Sequence, residues 1–207
     1  MPSVRVAAAD LALFAAETVY AAGIPVVEIT MTVPGGIDVI SKLSHKHADI
    51  IVGAGTVLDV ETAQQCVDAG ARFLTSPGLV PEVLEYALKN DVVAIPGALT
   101  PSEVIVAWKA GADFVKIFPC AQMGGDRYIR ALKVPLPHVP LIASGGVNQL
   151  TAANFIFAGA SSLGIGSELM PKQAILKRQD QWIHELARRF IETVHNARVH
   201  MSGADDD

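Results

Sequence analysis

Cysteine is scarce: Cys66 and Cys120 are the two in a chain of 207 residues. Two thiols cannot make a disulfide framework. Cys66 falls in a helical pattern and reads as a small apolar filler. Cys120 lies just past an apolar strand, and nothing nearby in sequence supports reactivity. Basic charge is also short. Sixteen Lys and Arg stand against 21 Asp and Glu, for a net charge of −5. That balance excludes the basic footprint of a nucleic-acid binder. No apolar run approaches the roughly 18 residues that a membrane helix needs. Met1 to Arg5 holds no signal-like apolar stretch. The expectation is a cytoplasmic protein with no membrane partner. Zinc spacing is missing among the six histidines. His45 and His47 are two apart and do not share a helix face. His184 and His195 read as solvated positions of a last helix. No metal and no cofactor are expected.

What is present is apolar bulk: 51% hydrophobic residues against 18% charged. That suits one compact domain with a large core. Short β-prone runs alternate with helical patterns along the chain. The strands are expected at Ser3-Val4-Arg5-Val6, Pro25 to Thr30, Ile50 to Thr56, Arg72 to Ser76, Val92 to Gly97, Phe114 to Pro119, Pro140 to Ser144 and Ser162 to Ile165. Helix starts are legible at Asp10, at Asp59, at Pro81 and at the capping box Thr100-Pro101-Ser102-Glu103. Helix stops fall at Gly23, Gly70, Gly111 and Gly159. These glycines are 47, 41 and 48 residues apart, about two units each. A long final helix is expected from about Gln173 to Asn196.

Eight strand–helix units in strict alternation predict a single-domain α/β fold, a (β/α)8 TIM barrel over residues 1–200. Residues 201–207 read as a disordered acidic tail. Runs such as IIVGAG are apolar throughout, as parallel strands covered by helices should be. The runner-up is an open doubly wound sheet. Against it, no GxGxxG follows the first strand; Gly53-Ala54-Gly55 is only a fragment of one.

The sixth strand carries one lysine in an apolar run, Phe114-Val115-Lys116-Ile117-Phe118-Pro119. Alternation puts Phe114, Lys116 and Phe118 on one face and Val115 and Ile117 on the other. Burial disfavours the charged form of an amine, and a neutral amine attacks carbonyl groups. The bland alternative is a strand-edge lysine whose tip reaches water. In a barrel of this kind the active site lies at the C-terminal strand ends. Arg5, Glu28, Thr56 and Lys116 all fall there. Strands two and six face each other, so Glu28 and Lys116 point to a common centre. Amine and carboxylate together are the minimal kit for imine chemistry. The alternative, a purely structural buried ion pair, needs further hydrogen bonds to be tolerated. Ser144-Gly145-Gly146 and Gly164-Ile165-Gly166-Ser167 follow strands seven and eight, where this fold usually cradles phosphate.

At these residues the sequence resembles the family of 2-keto-3-deoxy-6-phosphogluconate (KDPG) and 4-hydroxy-2-oxoglutarate (KHG) aldolases. The matching pieces are GIPVVEITMTVP, IVGAGTVLD, AGARFLTSPG, IPGALTPSEV, DFVKIFP, SGGV and GIGSEL, in family order. The resemblance implies a metal-independent class I aldolase that forms a Schiff base with pyruvate and assembles as a homotrimer. It implies Lys116 as the Schiff-base lysine and Glu28 as the general acid/base. Thr56 and Pro96 would line the pyruvate pocket, with Phe118 beside the substrate. Ser144, Gly145, Gly146, Gly166 and Ser167 would hold its far, phosphorylated end. Many members carry an arginine for the pyruvate carboxylate at the position of Thr32; others carry one at the end of strand one, where this chain has Arg5. Arg5 is therefore the expected carboxylate donor, able to bind bidentately. Ala143-Ser144 stands where the family commonly has Pro-Thr, which keeps a hydroxyl.

The leading expectation is reversible cleavage of the small-molecule substrate KDPG to pyruvate and glyceraldehyde 3-phosphate. KHG cleavage to pyruvate and glyoxylate, or cleavage of the 6-phosphogalactonate isomer, are close variants. A phosphate-binding barrel isomerase or epimerase with no imine, and a non-catalytic sugar-phosphate binder, are the readings from other classes.

Overall fold

The alternation in the sequence is realised as a ring of parallel strands inside a ring of helices. The computed structural model describes residues 1–203. The chain runs β1 (Ser3–Val4), α1 (Ala9–Ala21), β2 (Val26–Thr30), α2 (Gly36–Lys46), β3 (Ile51–Gly55), α3 (Val60–Asp68), β4 (Phe73–Thr75) and α4 (Pro81–Lys89). It continues through β5 (Val93–Ile95), β6 (Gly97–Ala98), α5 (Pro101–Lys109), β7 (Val115–Ile117), α6 (Asp126–Lys133), β8 (Leu141–Ser144) and α7 (Ala152–Phe157). It ends with β9 (Ser162–Gly164), α8 (Lys172–Leu176) and α9 (Asp180–Gly203). β5 and β6 are two pieces of the expected fifth strand, interrupted at Pro96, which has no N–H to give to the ladder.

All pairings are parallel. β1 to β5 form one sheet and β6 to β9 another. Two seams join them. At one, Ser3 N–H donates to Ile165 O at 2.8 Å and Ile165 N–H donates to Met1 O at 3.0 Å. At the other, Asp113 N–H donates to Ala94 O at 3.1 Å and Lys116 N–H to Pro96 O at 2.9 Å. The eight-unit barrel expected from the sequence is the observed architecture. Among the described residues, no helix is long and apolar enough to cross a membrane.

Local signals hold at most boundaries. Asp59 accepts from Thr62 N–H at 2.7 Å, and Thr100 and Glu103 form the reciprocal capping box with Pro101 in the first turn. Gly23, Gly70, Gly111 and Gly159 all take positive φ, the left-handed stop that glycine permits. Three boundaries differ from expectation. α1 is capped by Ala8, with no side-chain cap; Asp10 sits inside the first turn and pairs with Arg178 at 2.7 Å. The last helix is split into α8 and α9 at a kink where Arg178 has φ 48°. α9 runs to Gly203, three residues into the segment expected to be a disordered tail; residues 204–207 lie outside the described residues.

Strand alternation sorts side chains into two cores. Val27, Ile29, Val52, Leu74, Val115, Ile117 and Leu141 point outward and are buried under the helices. Each such side chain contributes about 1.5–3 kcal/mol. Phe73, Ile95 and Ile142 point inward, joined by Met1, Val26 and Phe114. They plug the barrel and form a dry floor beneath the polar strand ends.

Candidate active site

Glu28, on β2, and Lys116, on β7, both project into the barrel above that floor. Glu28 is 1% exposed and Lys116 8%. Lys116 Nζ lies 3.5 Å from Glu28 Oε2. A lone buried pair at that distance would be costly, but Glu28 has further partners. Ser3 donates its hydroxyl to Oε1 at 2.5 Å, and Thr75 donates to Oε2 at 2.7 Å. The carboxylate fits because β3 passes it with Gly55: a Cβ there would lie 2.4 Å from Glu28 Cδ. The inward glycines of the Gly53-Ala54-Gly55 run make room for side chains of the neighbouring strands, Phe73 in one case and Glu28 in the other.

Above the pair opens a cavity of about 990 Å³. Lys116, Arg5, Thr56, Phe118, Ser144, Gly145, Gly146, Gly166 and Ser167 all line it. The Lys116 ammonium lies 5.8 Å from the centre of the Phe118 ring. Arg5 Nη2 donates to Thr56 Oγ1 at 3.4 Å, which turns the guanidinium over the strand ends. Thr56 itself has φ 60°. Non-glycine residues adopt that region rarely, and strained positions of this kind gather at functional sites. Thr32 also lines the cavity; its hydroxyl shares a hydrogen bond of 2.8 Å with Thr30, so it brings no charge.

Gly145 and Gly146 have φ 86° and 83°, so the turn after β8 needs glycine twice. Cys120 N–H and Ala121 N–H donate to the carbonyls of Ser144 and Gly145 at 2.8 and 2.9 Å, which pins this turn against the loop after β7. A Cβ on Gly146 would meet the Ala121 methyl at 2.3 Å.

Two expected site residues, Glu28 and Pro96, lie behind the cavity wall and reach it through Lys116. Pro96 is buried between β5 and β6 and is not among the residues that line the cavity; its carbonyl accepts the Lys116 N–H. Sequence reasoning missed Ser3, Thr75 and Lys172. Ser3 and Thr75 each sit two residues from an inward-facing neighbour, Arg5 and Phe73, so period two could have found them. Lys172, at the start of α8, also lines the cavity; it lies past the last strand end, where strand periodicity gives no signal. Burial pushes the thiols of Cys66 and Cys120 up to about 12, so neither is a ready nucleophile. Among the described residues, no group of three His, Cys, Asp or Glu side chains gathers to hold a metal ion.

The chain matches the family model described as KDPG and KHG aldolase over residues 1–186. It is 32% identical over 187 residues to the 2-dehydro-3-deoxy-phosphogluconate aldolase of Pseudomonas aeruginosa, covering 89% of this chain and 84% of that one. It is also 32% identical over 187 residues to the 2-dehydro-3-deoxy-6-phosphogalactonate aldolase of Escherichia coli, covering 89% of this chain and 91% of that one. A solved KDPG aldolase from Legionella pneumophila holds pyruvate captured at low pH as a covalent carbinolamine intermediate. This chain is similar to it with a TM-score of 0.80 and 31% identity, over 90% of this chain and 92% of that one.

Proposed function

The chain belongs to the KDPG and KHG aldolase family, and from that membership we propose that it is a class I aldolase cleaving 2-keto-3-deoxy-6-phosphogluconate to pyruvate and glyceraldehyde 3-phosphate. The observation that carries this reading is the buried amine–carboxylate pair, Lys116 and Glu28, with Lys116 opening into a cavity that Arg5, Gly145, Gly146, Gly166 and Ser167 also line.

The substrate enters carboxylate first. Arg5 receives the carboxylate beside Thr56. Lys116 gives a proton to Glu28, its neutral amine attacks the keto carbon C2, and the proton left on nitrogen moves to the resulting alkoxide to give a carbinolamine. Glu28 delivers a proton as the hydroxyl leaves as water, which yields a protonated imine. Glu28, now a carboxylate, takes the proton of the C4 hydroxyl. The C3–C4 bond breaks, its electron pair moves into a C2–C3 double bond, and the C4 oxygen becomes the aldehyde of glyceraldehyde 3-phosphate. The enamine takes a proton at C3, and water hydrolyses the pyruvate imine to free Lys116. The phosphate end rests on the turns after β8 and β9, where Gly145, Gly146 and Gly166 bring backbone N–H groups close and Ser144 and Ser167 add hydroxyls.

The test is incubation with pyruvate and borohydride. One adduct on Lys116 is expected, and full activity in Lys116→Ala overturns the reading. A panel of KDPG, its galactonate isomer and KHG, followed by pyruvate release, decides the substrate. A non-imine isomerase or epimerase predicts phosphate-dependent binding with no trapped adduct. The assembly we propose is a cytoplasmic homotrimer, by resemblance to the family; sedimentation of the purified protein tests the trimer.

A further inference from the structure

We propose that Ser3 and Thr75 are positioning residues that aim the Glu28 carboxylate for proton transfer. The inference rests on reading Glu28 as the proton carrier. A carboxylate on a floor of Phe73, Ile95 and Ile142 is otherwise free to turn about its last side-chain bond. Here each oxygen has its own hydroxyl: Ser3 holds Oε1 at 2.5 Å and Thr75 holds Oε2 at 2.7 Å. The two donors come from opposite neighbours, β1 on one side of β2 and β4 beyond β3 on the other. The register sets this up, with Ser3 directly across from Glu28. Gly55 leaves the third side open, and the carboxylate occupies that space. Lys116 Nζ approaches Oε2, the same oxygen that Thr75 holds.

Neither hydroxyl is needed to fill the barrel. Thr75 is 1% exposed, at an inward position that valine would fill with equal volume. A buried hydroxyl must find an acceptor or lose stability, and the acceptor of both is Glu28. With both oxygens held, the carboxylate plane is set against Lys116 before substrate arrives. Such preorganisation is felt in the steps where a proton moves, not in the affinity for the pyruvate carboxylate. Ser3 and Thr75 touch no reacting atom; they act through Glu28.

The experiment separates proton transfer from imine formation. Exchange of the pyruvate methyl hydrogens in deuterated water, followed by proton NMR, reads the transfer between the imine and the enamine. The final yield of borohydride adduct at saturating pyruvate reads the imine. In Thr75→Val, exchange and kcat are expected to fall about 10- to 100-fold, with adduct yield and pyruvate KM within about twofold of the parent. Thr75→Ser keeps the hydroxyl and is expected to recover most of the loss. Ser3→Ala makes the same test on the other oxygen and serves if Thr75→Val does not fold. Normal exchange in the hydroxyl-free variants, with exchange lost in Glu28→Gln, overturns this inference and leaves the role of Glu28 standing. Normal exchange in Glu28→Gln overturns both. A loss in Thr75→Val that Thr75→Ser does not recover assigns Thr75 to packing and overturns its positioning role.

Discussion

Lys116 Nζ and Glu28 Oε2 meet at 3.5 Å across the barrel, although 88 residues separate them in the chain. The distance is at the outer edge of a hydrogen bond. A tight, fully satisfied ion pair would hold the amine in place; this longer contact leaves Lys116 available to a carbonyl carbon. Meanwhile the carboxylate is steadied by other donors.

Glu28→Gln removes the proton carrier but keeps volume and most hydrogen bonds. Turnover is expected to fall about 10²- to 10⁴-fold. Steady-state kinetics on KDPG check this, and turnover near the parent value would remove Glu28 from the mechanism.

Arg5→Ala is expected to raise the KM for the keto acid about 10- to 100-fold, the factor that loss of a charged hydrogen-bond pair of about 2 kcal/mol implies. Arg5 and Thr32 both line the cavity. Restoring a guanidinium in the double variant Arg5→Ala, Thr32→Arg should recover part of the affinity. An unchanged KM in Arg5→Ala defeats the carboxylate role.

Gly146→Ala puts a methyl where φ is 83° and Ala121 would lie 2.3 Å away. The backbone strain alone is about 1–2 kcal/mol. The turn must shift, so KM for phosphorylated substrates should rise while KHG cleavage changes little. Equal losses on both substrates would argue against a phosphate cradle at this turn.

Arg188 and Arg189 hold the Glu185 carboxyl down to about 2 from its ordinary 4.5, by hydrogen bonds first and charge second. A lowered carboxyl value favours the folded state above the ordinary value, and the benefit fades as pH falls towards 2. Glu185 is exposed, so the effect is small and screened by salt. Glu185→Gln is expected to lower Tm slightly at pH 7. The gap from the parent should narrow below pH 4.5 and shrink in high salt. Scanning calorimetry across pH reads both trends.

Much of the site was legible in the chain. Period two alone turned Lys116 and Glu28 inward, and the count of eight units set their strands opposite each other. Glycine stops and the Thr100–Glu103 box marked helix ends because those signals act within four residues. Other features needed contacts from far along the chain. Asp10 looked like a cap until Arg178 claimed it, and the same arginine sits at the break between α8 and α9. Pro96 was read as a pocket residue from its motif; what the fold adds is its place at the break between β5 and β6, where its carbonyl accepts the Lys116 N–H.

The clearest division lies at Glu28. Alternation along β2 was enough to say that its carboxylate faces the barrel interior, since a strand has only two faces. Nothing local could say which hydroxyls meet it. Ser3 is 25 residues away and Thr75 is 47, and they arrive only through the register of β1 on β2 and of β4 on β3. Side-chain direction is a property of the backbone at one residue, whereas the depth, partners and aim of a buried charge belong to the closed ring.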